Sequence, residues 1–356
     1  MKTLVINDLH QGVNRTGGTT PQSLAALLEY SRAKHGELLE LAASKNCGRV
    51  IVNGDLTDQY SVPLGEALNL YQAADYFLTE YGSMELVWAL GNHDLSKDSS
   101  KLGTVAFIGA LLEMKYPERF KLVDTPTLID NIYVIPHLPN QDLFELALDA
   151  IPEGAEYCLL HCNFDNEFAA KAEHSLNLPR AKAKELTKRL TLVLGHEHQH
   201  RTLMGDKVVI VGNQFPTSIS DCLAHGDAQK DGRKYCLTIE GEDMELVPTW
   251  SRGSSTGGYA EVDWRDTNPA FSDFTRVVGE ATSAESADVI KVISKWRQTA
   301  KAFVITNAVK VEGVAGAEEL AESVEDIRSV NVVEMLIEQL DPDQAKAVRS
   351  LLAGDV

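Results

Sequence analysis

Short apolar runs along this chain end repeatedly in Gly, Asn, His and Asp. Leu86-Val87-Trp88-Ala89-Leu90 is one such run, and Gly91-Asn92-His93-Asp94 follows it. An uninterrupted apolar run bounded by Gly predicts a buried strand. Lys2–Asn7, Arg49–Asn53, Asn131–Pro136, Tyr157–Leu160 and Leu192–Leu194 read the same way. Helical periodicity fills the first gaps. Pro21 to about Asn46 carries Leu24, Leu27, Leu28, Leu38, Leu39 and Leu41 on one side, and 65–81 forms a second helix. Strands separated by helices, each ending in polar residues, predict an α/β sheet with a site at the carboxyl ends of its strands. Lys207–Val211 and Lys234–Ile239 predict antiparallel strands that finish a sheet.

Ser251-Arg252-Gly253-Ser254-Ser255-Thr256-Gly257-Gly258 reads as a flexible linker. Beyond it, Thr275–Val278, Ser286–Ala300 and Ala302–Ile305 predict a small strand–helix–strand domain. From Glu312 onward the chain turns acidic. Two short helices are expected there. One bears Val332, Val333, Leu336, Ile337 and Leu340. The other starts at an Asp341-Pro342 cap and presents Ala345, Val348, Leu351 and Leu352. The expected boundaries are therefore 1–250, 259–312 and 325–356.

Composition narrows the class. The 356 residues are 44% hydrophobic and 24% charged, as in soluble globular proteins of two or three domains. No apolar run is long enough to span a membrane, and the N-terminus lacks a signal-peptide core. Five scattered cysteines without zinc-site spacing predict reduced thiols in a cytoplasmic protein, with Cys158 and Cys162 serving packing. A net charge of -19 argues against a protein that coats nucleic acid. It leaves room for an enzyme whose bound cations reverse the local field.

The strand-end residues carry the chemistry. Asp8, His10, Asp55, Asn92, His161, His196 and His198 all suit coordination, leaving His93 over. Asp8 and His10 are two apart, so an extended segment puts both on one face. Seven ligands exceed what one ion takes, so two divalent ions sharing a bridge are expected, with the carboxylate of Asp55 as the natural bridge. Imidazole, carboxylate and amide donors without thiolate favour manganese, iron or zinc. Two ions about 3.5–4 Å apart suit phosphoester hydrolysis. His137 ends a strand but fits no motif. His35, His174, His200 and His225 are expected on the surface, and Gln11–Pro21 as a mobile loop.

Asp8-Leu9-His10, Gly54-Asp55-Leu56-Thr57-Asp58, Gly91-Asn92-His93-Asp94, the lone His161 and Gly195-His196-Glu197-His198 stand in the order of the five motifs of the calcineurin-like metallophosphoesterase superfamily, which residues 1–250 resemble. The resemblance implies a four-layer sandwich of two mixed β-sheets flanked by helices. It assigns Asp8, His10, Asp55 and His198 to one metal, and Asp55, Asn92, His161 and His196 to the other. It makes His93 the proton donor or charge stabiliser, oriented by Asp94, with Asp58 behind the ligands.

Within the superfamily, Asp8-Leu9-His10-Gln11-Gly12 resembles the opening of the SbcD-type DNA repair nucleases, and 259–312 resembles their βαβ capping domain. That likeness implies an exo- and endonuclease acting on double-stranded ends, hairpins or single strands. It also implies Mn2+ as the ion, with Mg2+, Fe2+ or Zn2+ as alternatives. The partners would be an SbcC-like SMC-type ATPase bound through 325–356 and a second copy in a homodimer. Thr57, where an aromatic or aliphatic residue is usual, and Asn213, where Ser is common, depart from that subfamily. A stand-alone phosphomonoesterase or cyclic-nucleotide phosphodiesterase, and an inactive metal-binding scaffold, remain as alternative readings.

Overall fold

The computed structural model describes residues 1–13, 17–98, 101–173, 175–223 and 232–312. The expected helices of 325–356 lie outside them, as do His174 and His225. The first half alternates β1 (Thr3–Ile6), α1 (Pro21–Ser44), β2 (Arg49–Asn53), α2 (Leu64–Glu80), β3 (Glu85–Ala89), α3 (Thr104–Lys115) and β4 (Phe120–Val123). The second half runs β5 (Thr127–Ile129), β6 (Ile132–Ile135), α4 (Gln141–Asp149), β7 (Tyr157–His161), β8 (Asn163–Phe164), α5 (Glu167–Glu173), β9 (Asn177–Leu178), α6 (Arg180–Leu186), β10 (Thr191–Gly195), β11 (Arg201–Leu203) and β12 (Val208–Ile210). The hairpin of β13 (Arg233–Glu240) and β14 (Asp243–Ser251) then returns to the first half.

Two six-stranded mixed sheets result, ordered β14-β13-β1-β2-β3-β4 and β11-β12-β10-β7-β6-β5. Each central strand is buried on both faces, which is why it reads as a continuous apolar run. The strand period of two sorts its residues between two cores. In β1 and β2, Leu4, Ile6, Val50 and Val52 face the helices, while Val5 and Ile51 face the other sheet. In β7 and β10, Leu160 and Leu194 pack outward, and Leu159 and Val193 meet Val5 and Ile51 between the sheets. The layers are helices, sheet, sheet, helices, the expected α/β sandwich.

Two expectations need correction. Val208–Ile210 and Arg233–Glu240 are not partners: the first lies parallel to β10 and the second antiparallel to β1, in different sheets. The apolar pattern places strands without naming their neighbours. Nor is 251–258 a free linker. Ser254 N–H donates to the Ser251 carbonyl, Trp250 Nε1 donates to Gly257, and Gly257 N–H donates to Asp273 Oδ2. A tight turn needs the same small residues as a linker does.

After it, β15 (Tyr259–Asp263), β16 (Phe274–Val278), β17 (Glu280–Ala281), α7 (Ser286–Thr299), β18 (Val304–Asn307) and β19 (Lys310–Val311) complete the described chain. Strands β15, β16 and β18 form a parallel sheet. One face packs on Val289, Ile293 and Trp296 of α7. The other brings Phe274, together with Phe303, onto Tyr30 of α1. Ile305 N–H donates to the Gly18 carbonyl at 2.9 Å, so the later part of the 11–21 loop is tied down.

Candidate metal centre

The carboxyl ends of β1, β2 and β3 meet those of β7 and β10 across the seam between the sheets. Two glycines make the approach possible. Gly54 has φ +88°, and a Cβ there would lie 2.0 Å from His161 Nδ1. A Cβ on Gly91 would lie 2.2 Å from Asp55 N and Oδ1. Asp8, His10, Asp55 and His196 take positive φ values of 50, 44, 50 and 81°. That region costs a residue with a Cβ about 1–3 kcal/mol, and the surrounding structure holds it there.

The ligand candidates assemble in two groups sharing Asp55. His10, Asp55 and His93 form one and Asp55, His161 and His196 the other, with donor atoms within 4.8 Å of each other in each group. Asn92 Oδ1 joins the second, 3.1 Å from His161 Nε2 and 3.0 Å from His196 Nδ1. His198 Nε2 meets His10 Nε2 at 3.0 Å. Asp8 sits behind them. Both its oxygens accept from the His196 N–H, and Oδ1 is 3.8 Å from His161 Nδ1.

These contacts fit cations. His161 Nδ1–H is committed to the Asn53 carbonyl at 3.0 Å, so the neutral ring turns a lone pair toward Asp55 Oδ2, 3.2 Å away, and Asn92 Oδ1. Three acceptors converge, and only a proton or a metal ion reconciles them. Donors about 2.1 Å from one ion also stand about 3.0–3.4 Å from each other, the spacing found here. Without ions a proton takes that place. Burial opposes the charge on His161, but the Asp55 carboxylate overrides it and raises the pKa to about 9. Burial also penalises the charged form of Asp55, yet His161 and His93 hold its pKa well below the ordinary value. Burial lowers His10 to about 4.

Residues outside the motifs orient the ligands, as partners of metal-bound histidines generally do. Asp221, in a 3-10 turn at Ser220–Cys222, accepts from His198 Nδ1 at 2.8 Å. Its other oxygen accepts from the N–H and hydroxyl groups of Thr217 and Ser218. Lys234 is buried beneath, donating to Asn213 Oδ1. Sequence reasoning misses Asn53 and Asp221, because nothing local marks a residue that acts through a ligand from another segment.

The role expected of Asp94 is corrected. Its carboxylate does not orient His93. It accepts from the N–H groups of Gly91, Leu56 and Thr57 and from the Thr57 hydroxyl. It thereby binds the Gly54–Asp58 loop to the Gly91–Asp94 loop, and burial with the Asp55 charge raises its pKa to about 6. The unusual Thr57 is thus half of a local bond. His93 Nδ1 meets the Asp58 carbonyl at 2.7 Å instead, and the His93 N–H donates to Asp55 Oδ1 at 2.9 Å. His35 and His200, expected on the surface, are buried. His200 Nδ1 donates to the Ile210 carbonyl, and His35 lies inside α1 packing. All five cysteines are buried free thiols.

A fold of two mixed sheets with this ligand constellation at their joint rim defines a metal-dependent phosphoesterase. The sequence profile of the calcineurin-like phosphoesterases matches residues 1–200, and the chain belongs to that family, whose members bind two divalent metals and hydrolyse phosphoesters. No curated protein sequence matches the chain. Among solved structures it is similar to TT1561 of Thermus thermophilus, at 11% identity and a TM-score of 0.43, over 70% of this chain and 99% of that one. A nuclease MPE of Pseudomonas putida matches at 13% identity and 0.29, over 69% and 87%. A dimetal phosphatase from Danio rerio matches at 10% and 0.39, over 70% and 96%. No helix among the described residues is long and apolar enough to cross a membrane.

Proposed function

We propose that this chain is a two-metal phosphodiesterase acting on DNA, the nuclease subunit of a complex with an SMC-type ATPase. Asp8, His10, Asp55 and His198 hold one ion; Asp55, Asn92, His161 and His196 hold the other. Mn2+ fits the mixed imidazole and oxygen donors. When bound, the ions offset phosphoryl charge and activate the attacking water. His93 supplies the proton to the leaving oxygen. Its Nδ1 faces the Asp58 carbonyl, which commits that nitrogen to a donor role, so the proton transferred would be the one on Nε2 of the doubly protonated ring, which transfer would leave neutral.

The observation that carries the DNA reading is the tie between the 259–312 unit and the loop that leaves His10, through Ile305 N–H and the Gly18 carbonyl. A small ester needs only the metal rim. A polymer extends past it and gains from a second surface fixed to the same loop. The ATPase would bind through 325–356, and a second copy through the helices of the first domain, 1–250. One feature favours a stand-alone phosphomonoesterase or cyclic-nucleotide phosphodiesterase instead: the net charge of -19, which repels a polyanion.

The test is degradation of linear double-stranded DNA by the Mn2+-loaded chain, alongside hydrolysis of bis(p-nitrophenyl) phosphate. Mn2+-dependent loss of DNA supports the nuclease. Hydrolysis of the small ester with DNA intact, also after addition of an SMC-type ATPase, replaces it with the second reading.

A further inference from the structure

Lys234 sits where a lysine is seldom found. It belongs to β13 and is only 2% exposed. An ammonium group taken out of water is among the costliest to bury, and folds keep one where its donors are used. Here they are used on the loop that carries His198. Nζ donates to Asn213 Oδ1 and reaches the His198 carbonyl in a longer contact of 3.5 Å. That carbonyl also accepts from the Asn213 N–H at 3.3 Å. Gly212 has φ +78°, and a Cβ there would lie 2.7 Å from the same carbonyl, so the 212–213 turn presses directly on it. The β13–β14 ladder slips register between Lys234 and Tyr235, the kind of irregularity that re-aims a side chain.

The contact crosses between the two sheets. Strand β13 lies beside β1, whose carboxyl end leads to Asp8 and His10, whereas His198 follows β10 in the other sheet. With the ions assigned as above, His198 is what the second sheet contributes to the ion of Asp8, His10 and Asp55. It is gripped twice: Asp221 takes its ring Nδ1 at 2.8 Å, and Lys234 with Asn213 takes its backbone carbonyl. The other ion draws on His196, whose N–H is held by Asp8.

We propose that Lys234 is a positioning residue: its buried ammonium, with Asn213, fixes the His198 backbone against the first sheet and so sets the ion held by Asp8, His10, Asp55 and His198. The inference rests on the two-ion reading above.

The test measures Mn2+ binding to the full chain by calorimetry, with hydrolysis of bis(p-nitrophenyl) phosphate alongside. Lys234→Met keeps the length of the side chain and removes its charge and donors. It is expected to weaken one ion about 10–100-fold, the usual effect of losing a group behind a metal ligand, and to leave the other near its wild-type affinity. Hydrolysis should then need about 10–100-fold more Mn2+ and recover once the metal saturates. His198→Ala should remove the same ion, recognised by its binding enthalpy. Asn213→Ala, a milder change should Lys234→Met fail to fold, is expected to weaken that ion too. Equal weakening of both ions overturns the proposal, because Lys234 would then support the rim as a whole. So does wild-type affinity for both ions in a folded variant. A wild-type chain that binds fewer than two ions fails the parent reading instead.

Discussion

The metal rim and helix α1, which packs behind it, follow opposite local rules. At the rim, Asp8, His10, Asp55 and His196 hold left-handed φ values, and buried carboxylates and imidazoles crowd together. In α1, Thr20 caps the start in a reciprocal bond with Ser23, Pro21 occupies the first turn, and Gly36 has open space around its Cα. The start of the helix follows the capping rules, and Gly36 is the one interior glycine. The rim departs from ordinary backbone geometry at four of the seven ligand candidates, and what holds it is packing between distant strands. Left-handed residues also occur at Asn46, Asp130, Asp165, Met204 and Asp206, so what sets the rim apart is that four of them crowd together with buried carboxylates and imidazoles.

Substitutions can break that contrast. The largest effect belongs to Asp55→Asn, which weakens both ion groups at once. Phosphoesterase activity should fall at least about a thousandfold, with Mn2+ binding lost in calorimetry. If one ion site survived intact, the shared role of Asp55 would be wrong. Next comes Gly54→Ala, whose methyl group meets His161 at 2.0 Å in a left-handed backbone. We expect roughly 3 kcal/mol of destabilisation in denaturant unfolding, together with impaired Mn2+ binding. His93→Ala should lower kcat about 10²–10⁴-fold while metal analysis still finds two ions, which separates proton transfer from coordination.

The body of the fold is expected to respond differently. Burial lowers the pKa of His35 to about 4, from 6.5 in an unfolded chain. As pH falls, the unfolded chain takes up the proton first. The stability tied to His35 is thus complete above pH 6.5 and declines toward pH 4, by roughly 3 kcal/mol in all. His35→Leu should remove that share of the acid sensitivity between pH 6.5 and 4, read by denaturant titration at each pH. The smallest effect is Gly36→Ala, expected to stabilise by about 0.5–1 kcal/mol because nothing opposes the methyl group and helix propensity improves. A loss of stability there would show that α1 is not the relaxed element described.

The same contrast sets how much was legible from sequence. Strands β1, β2, β3, β7 and β10 read directly, because burial on both faces leaves an apolar run that ends where the chemistry begins. Within a segment the spacing is local, so Asp8 with His10, Asn92 with His93 and His196 with His198 stand out as pairs, while the meeting of the five segments is the work of the fold. Helix α3 is harder to see: Val105, Phe107, Ile108, Leu111, Leu112 and Met114 surround it without a clean polar face. The partners of β12 and β13 are a matter of long-range pairing that no local period encodes. Asn53 and Asp221 are ordinary polar residues until the fold sets them behind His161 and His198. Asp94 sits next to His93 in sequence, yet it bonds the neighbouring loop, because its side chain points toward Thr57.

Strand β1 carries one more implication. It lies between β2 and β13, with Thr3 opposite Ile239. On a ribosome, one edge of β1 finds β2 early, while the other stays unpaired until more than two hundred further residues have been made. At 5–20 residues per second that is roughly ten seconds or longer. Throughout that interval a strand apolar on both faces offers open backbone groups to any passing chain, so the newborn protein is most vulnerable to aggregation just before its last hairpin arrives.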